Sequence, residues 1–188
     1  MRKGAAGRDE LIAAIAEVFR AHGYAGASLS LITEATGLGK GSLYNFFPGG
    51  KDEMAAAVLA HIDRWFEDEV FSPLRKADQS QDGISRMLAA TDAYFYSGRR
   101  VCLVGAFALD DARDRFAAEI RSYFERWVAD LAGALLRAGR PEAEAVRLAE
   151  ESVGGIQGAL TLARAFDDPA VFSRTMASIR QRLGVAGA

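Results

Sequence analysis

Two histidines, one cysteine and scattered serines are the residues of this 188-residue chain best equipped for metal or covalent chemistry. Their spacing does not assemble it. His22 and His61 lie far apart without metal-ligand spacing, and neither Cys102 nor any serine sits in a recognisable nucleophile motif. Neither catalysis nor a bound cofactor or metal is expected. What the chain does concentrate is charge and hydrogen bonding. "GKGSLYNFFPGGKDEM", residues 39 to 54, sets Lys40, Ser42, Tyr44, Asn45 and Lys51 among two phenylalanines and four glycines. An ammonium and a phenolic hydroxyl both bond phosphate oxygens, which fixes register on a duplex without reading it. Serine and asparagine are short polar groups suited to base edges, asparagine favouring adenine.

Those side chains need a helix to aim them. Lys40 to Phe47 reads as a short one, stopped before Pro48, Gly49 and Gly50. At ~100° per residue, Leu43 and Phe47 share a face, Gly41 and Asn45 point nearly opposite, and Ser42 and Tyr44 take the flanks. Lys40 projects near the apolar stripe, but its long stem reaches solvent or phosphate from the helix start. Gly41 lets the helix approach DNA closely. Facing leaves Phe46 open between core packing and contact. Ahead of this helix, Leu11, Ile12, Ile15, Val18, Phe19 and His22 recur at helical spacing until Gly23 ends the first helix. Ser28 caps a short second helix with Leu29, Ile32 and Ala35 inward, and Gly37, Leu38 and Gly39 form a turn. Three helices with a tight turn before the third outline a helix-turn-helix, whose second member enters the major groove.

The stretch "GYAGASLSLITEATGLGKGSLYNFFPGGKDEM" resembles the signature of TetR-family transcriptional regulators over about thirty consecutive positions. The resemblance implies that Gly23 and Tyr24 end the first helix, that the Ser28 hydroxyl lies near a phosphate, and that Gly37 is the turn glycine. It also implies that Lys40, Gly41, Ser42, Tyr44 and Asn45 occupy recognition-helix positions, with Leu43 and Phe47 as inward anchors. Lys51 resembles the lysine that opens the fourth helix and touches the DNA backbone. Ala27 and Gly39 stand where the family commonly has Thr and Ser, which removes two hydroxyl contacts and shifts the phosphate grip toward Ser28, Tyr44 and Lys51. Arg2, Lys3 and Arg8 read either as an arm for the minor groove or as a solvated tail.

The fold expected is all-α: a helix-turn-helix domain over residues 1–50 and a helical ligand-binding and dimerisation domain over 51–188. In the second part Met54, Val58, Ile62 and Trp65 mark a helix ending near Ser72 and Pro73, and "KADQSQDG" has loop composition. Ile84, Met87, Leu88, Thr91 and Phe95 mark the next helix, and the all-apolar "VCLVGAFAL", residues 101 to 109, reads as a short helix buried in the body. Phe116, Ile120, Tyr123, Trp127 and Leu131 trace a long helix, and residues 141–166 and 169–183 form the last two. Phe66, Met87, Tyr94, Phe95, Cys102, Phe107, Phe116, Tyr123 and Trp127 are candidate lining for an apolar or aromatic ligand, with Gln157 as an orienting polar group. Core packing explains each of them singly, and solvent exposure explains Gln157. Gly154, Gly155 and Gly158 inside a periodic pattern suggest either close helix contact with a second copy or a helix break beside a pocket. Arg99 and Arg100 beside Cys102 favour a reactive thiolate; burial would make the same thiol an inert hydrophobe.

Composition bounds the function. Half the residues are hydrophobic, the single cysteine fits a reducing cytoplasm, and no stretch approaches the ~18 apolar residues of a membrane span or a signal peptide with its cleavage site. Net charge is −2, yet residues 1–51 hold six bases against four acids, +2, leaving 17 against 21, −4, for the rest. The expected protein is a dimeric, ligand-responsive transcriptional repressor on a palindromic operator, released by a small apolar or aromatic molecule. The alternative is a helical protein-interaction or small-molecule-binding module without DNA binding, distinguished by the steep salt dependence of phosphate-driven binding.

Overall fold

The computed structural model describes residues 2–76 and 80–185, with side chains from Gly7 onward. Among the described residues every regular element is helical, and no helix is long and apolar enough to cross a membrane. In chain order these are α1 (Arg2–Gly26), α2 (Leu29–Thr36), α3 (Lys40–Phe46), α4 (Gly50–Phe66), α5 (Ser72–Arg75), α6 (Ser80–Tyr94), α7 (Leu103–Ala108), α8 (Ala117–Arg137), α9 (Glu142–Phe166) and α10 (Ala170–Leu183). The chain packs as two units, one of residues 1–64 and 103–121, the other of residues 65–102 and 122–188.

The first unit grows from the periodic apolar positions of α1. Ile15 and Phe19 of α1, Ile32 of α2, Leu43 of α3, Phe47 at the end of α3 and Val58 of α4 are all buried from water. Gly23 interrupts α1 with φ 67° and ψ 175°, a backbone that a side chain would resist. Only Ile32 of α2 is fully buried: Leu29 is half-buried and Ala35 exposed, against expectation, because eight residues present a seam one residue wide. His22, expected on the inner stripe of α1, is exposed. Arg8 lies within α1, its guanidinium 5.5 Å from the Phe47 ring centroid. Arg2 and Lys3 fall in the first turns of α1, and their side chains lie outside the described residues.

Residues 101–109 correct the sequence reading, because α7 joins this first unit and not the body. Phe107 stacks on Phe116 at 5.8 Å and meets Phe19 and Tyr24 edge-on at 5.8 and 5.9 Å. The hydrophobic run also ends before its last residue, since Leu109 is 91% exposed. One turn of 3-10 helix, Asp111–Arg113, then leads toward α8.

The second unit is organised around Phe66. Its ring lies within 4.9–6.2 Å of Tyr94, Tyr123, Trp127, Phe71 and Phe95, in edge-on or tilted pairings favoured by ring quadrupoles. Trp65, expected inward, is half-buried, and its neighbour Phe66 takes the core position. The helical path does not stop at Ser72 and Pro73. Glu67–Phe71 widens into a π-helical turn, with the Ser72 N–H donating to the Glu67 carbonyl, so that Pro73 can sit at the start of α5 where no N–H is needed. Gly83 permits the next close approach, since a Cβ there would lie 2.5 Å from the Pro73 carbonyl oxygen. A polar clasp binds the surface: Arg75 pairs with Glu67 and, at 2.7 Å, with Asp130, while Arg126 reaches Glu67 at 3.2 Å. α9 runs unbroken through Gly154, Gly155 and Gly158, which removes the expected alternative of a break there.

Candidate nucleic-acid interface

Local chemistry fixes the helix-turn-helix. The Ser28 hydroxyl oxygen accepts from the Leu31 N–H at 3.2 Å, satisfying a donor that α2 leaves unpaired. Gly37 ends α2 in the left-handed region at φ 68°, and Thr36 folds back onto the Ile32 carbonyl at 2.6 Å. Gly39 caps α3 by backbone alone. With the turn set, Leu43 and Phe47 are fully buried, and Lys40, Gly41, Ser42, Tyr44 and Asn45 are all exposed. None of those four side chains makes a hydrogen bond or ion pair within the described residues. Phe46 is 43% exposed and edges a cleft of about 360 Å³ against Leu11, Ala14, Ala35 and Leu38. It belongs half to that cleft and half to solvent.

Tyr44 leans toward the start of α4. A Cβ on Gly50 would lie 3.6 Å from its ring, and Gly50 itself has φ 67°. The phenol is therefore carried to a helix N-terminus, where backbone dipoles favour an anion. Glu53 closes that terminus by accepting from the Gly49 N–H at 2.7 Å.

Lys51 takes a more internal place than expected. Its ammonium donates to the Tyr24 carbonyl at 3.0 Å and lies 3.4 Å from that of Ala25, 4.6 Å from the Tyr24 ring centroid. Two of its three donors thus tie α4 to the end of α1, leaving one for an outside acceptor. Sequence reasoning missed what surrounds it. The Tyr24 hydroxyl donates to Asp52, Asp52 also pairs with Arg115, and the Tyr24 N–H donates to Asp110 at 3.3 Å. Burial, together with the Asp52 carboxylate, pushes the Tyr24 hydroxyl up to about 12. The Tyr24 hydrogen bond, aided by Arg115, holds Asp52 below the ordinary carboxylate range. Nothing in the local sequence announces Asp110 or Arg115 as partners of a tyrosine near residue 24.

The ligand candidates divide between the two units. Phe66, Tyr94, Phe95, Tyr123 and Trp127 form the aromatic cluster of the second unit, which also buries Met87 and Cys102. Phe107 and Phe116 belong to the first unit, packed on Tyr24. Gln157 is half-buried on α9, and its side-chain nitrogen, like the Trp127 indole nitrogen, is buried without a hydrogen-bond partner among the described residues.

Residues 11–58 match the family described as bacterial regulatory proteins, tetR family, and residues 73–178 match the C-terminal domain of LmrA/YxaF-like transcriptional regulators. The uncharacterized HTH-type transcriptional regulator YxaF of Bacillus subtilis (strain 168) is 25% identical over 159 residues, covering 82% of this chain and 83% of its own. A TetR transcriptional regulator from Chloroflexus aurantiacus J-10-FL superposes with a TM-score of 0.79 at 25% identity, over 98% of this chain and 97% of that one. The TetR family regulator CifR, solved in a complex with operator DNA, shares the fold at a TM-score of 0.73 and 23% identity over 96% and 97% of the two chains. With both its parts matched, the chain belongs to the TetR family of transcriptional regulators, its body of the LmrA/YxaF-like kind.

Proposed function

We propose that this regulator is a homodimeric repressor that places α3 in successive major grooves of a palindromic operator and leaves the DNA when a small apolar or aromatic effector binds. One observation carries the DNA half of the reading. The side of α3 opposite Leu43 and Phe47 exposes a lysine, a serine, a tyrosine and an asparagine with no hydrogen-bond or ion-pair partners among the described residues, which leaves all four available for phosphate and base contacts. Ser28, Lys40, Tyr44 and the remaining donor of Lys51 hold phosphates, Gly41 allows close approach, and Ser42 and Asn45 meet base edges. Residues 1–50 carry the DNA contacts of this head, residues 51–64 and 103–121 pack with them, and the rest of residues 51–188 is the ligand-binding and dimerising body, working on DNA in the cytoplasm. The CifR complex with operator DNA supports the same use of the fold.

The effector enters at the aromatic cluster around Phe66. Trp127, in that cluster, buries an indole N–H with no acceptor among the described residues, so the fitting molecule is aromatic and carries an acceptor oxygen or nitrogen, with Gln157 as the candidate orienting group. Release follows from displacement of α4, which carries Lys51 in its first turn and Phe66 in its last. The ligand shifts that equilibrium only by the difference in its affinity for the two states. Dimers form through α9 and α10, with Gly154 and Gly158 at the contact.

Selection of bound DNA from a random pool tests the reading: a palindromic consensus is expected, and no enrichment overturns it. Asn45→Ala relaxes preference at one base position by about 1–3 kcal/mol, and Tyr44→Phe weakens binding uniformly across sequences. If both variants bind like the parent, the recognition face is misassigned.

A further inference from the structure

The second unit holds a cleft that neither the recognition helix nor the aromatic cluster uses. One wall is the turn after α6, where Tyr96, Ser97 and Gly98 follow one another with φ of 49°, 51° and 92°. Two of these three carry side chains, so the turn holds a backbone that L-residues resist. It is pinned by the Ser97 N–H on the Asp92 carbonyl and the Arg100 N–H on the Phe95 carbonyl, both at 3.0 Å. Gly98 is required there, because a Cβ would lie 2.5 Å from the Phe172 Cβ. The opposite wall is the last turn of α9, with Leu160, Ala163 and Arg164, and its left-handed cap Asp167 at φ 51°. Between them lies about 180 Å³.

Three guanidiniums, Arg99, Arg100 and Arg164, and one carboxylate, Asp167, line this space, a local excess of 3 − 1 = +2 in a chain whose net charge is −2. Arg100 is anchored, donating to the Tyr94 carbonyl at 3.4 Å with its guanidinium carbon 4.7 Å from the Tyr94 ring centroid. Arg99 and Arg164 are exposed and make no ion pair among the described residues. The neighbouring Asp168 is already committed, accepting from the Ala170 N–H at 2.9 Å and from Arg174 at 3.3 Å. Like charges gathered in a concave site repel one another until an anion arrives, and the guanidinium fork matches carboxylate and phosphate oxygens in pairs. Val101, Leu160 and Ala163 add an apolar floor.

We propose that this cleft binds a compact oxyanion, the carboxylate or phosphate group of a small molecule, through Arg99, Arg100 and Arg164. At roughly 30 Å³ per water, the volume holds about six water-sized groups, enough for such a head and a short tail. At ~100° per residue Arg164 stands 80–120° around α9 from Gly154 and Gly158, so the cleft flanks the proposed pairing face and does not lie on it. The proposal is independent of DNA binding and of the aromatic effector.

Titration calorimetry and thermal unfolding of the full chain with sodium phosphate and with sodium butyrate, against sodium chloride at matched ionic strength, test it. Saturable binding to at least one oxyanion is expected, and which of the two binds identifies the source. Arg99→Gln and Arg164→Gln, both at exposed positions, are each expected to weaken binding by roughly tenfold. Arg147→Gln, elsewhere on α9, should leave it unchanged. Phosphate and butyrate acting no differently from chloride would overturn the proposal. So would cleft variants that titrate like the parent, or an equal loss in Arg147→Gln.

Discussion

Replacing Gly154 and Gly158 by alanine separates a paired α9 from a solvated one by the sign of the outcome. In the single chain an added Cβ at either position meets nothing within 4 Å. Each methyl therefore stabilises the folded chain by about 1 kcal/mol through helix propensity, roughly 2 kcal/mol for the double variant. Packed against a second copy, the same methyls enter a filled interface. At the low end of overpacking costs, about 1 kcal/mol each, four methyls across the two-fold weaken the dimer by about 4 kcal/mol, roughly a thousandfold in dissociation constant. Gly155→Ala is the internal calibrant: its Cβ would sit 3.6 Å from Ile179 and 3.9 Å from Thr175, ordinary contact within the chain. That variant gains the propensity term and leaves assembly alone. Sedimentation equilibrium over a concentration series, with urea unfolding at each concentration, reads both quantities. A Gly154→Ala/Gly158→Ala protein that is about 2 kcal/mol more stable and associates like the parent would refute pairing through this face.

Gly98→Ala and Gly37→Ala form a second contrast, both at positive φ. Gly37 has open space around it and costs only the left-handed penalty, about 1–2 kcal/mol, whereas Gly98 adds a collision with Phe172 and Pro169 and costs about 2–5 kcal/mol. Equal losses in urea unfolding would show that the turn after α6 relaxes away from α10. Tyr24→Phe removes the hydroxyl that Asp52 accepts and costs about 1–2 kcal/mol at neutral pH. Because the Tyr24 hydroxyl is raised to about 12 in the folded chain, its contribution is fully present below pH 10 and is lost as pH rises through 12. The parent should lose stability across that window more steeply than Tyr24→Phe; parallel pH profiles would show that burial and Asp52 do not raise the Tyr24 hydroxyl on folding.

What was legible in the sequence is what neighbours within a few positions decide. The burial of Leu43 and Phe47, the Ser28 cap, the positive-φ break at Gly23 and the left-handed stop at Gly37 all follow from helical period and backbone sterics. The exposed side of α3 follows in turn. Partners supplied from far along the chain were not legible. Phe107 and Phe116 read as body lining because apolar character does not say which core a side chain joins. Lys51 read as a surface cation because the Tyr24 and Ala25 carbonyls that hold it depend on how α1 ends. Pro73 read as a helix stop, where a five-residue π-helical turn absorbs it instead. The arginines around the cleft beside Gly98 come from two segments more than sixty residues apart, and no local pattern joins them.

The aromatic seat of Tyr24 makes the DNA-reading head a discontinuous module. Phe19 and Tyr24 are covered by Phe107 and Phe116, and Asp52 is held by Arg115, so residues 103–121 complete what residues 1–64 begin. A chimera joined at a single point after residue 64 would carry the recognition helix intact, yet give it a foreign lid over that seat. Grafting this head onto another regulator's body therefore takes two cuts, the second excising α7 and the start of α8 with it.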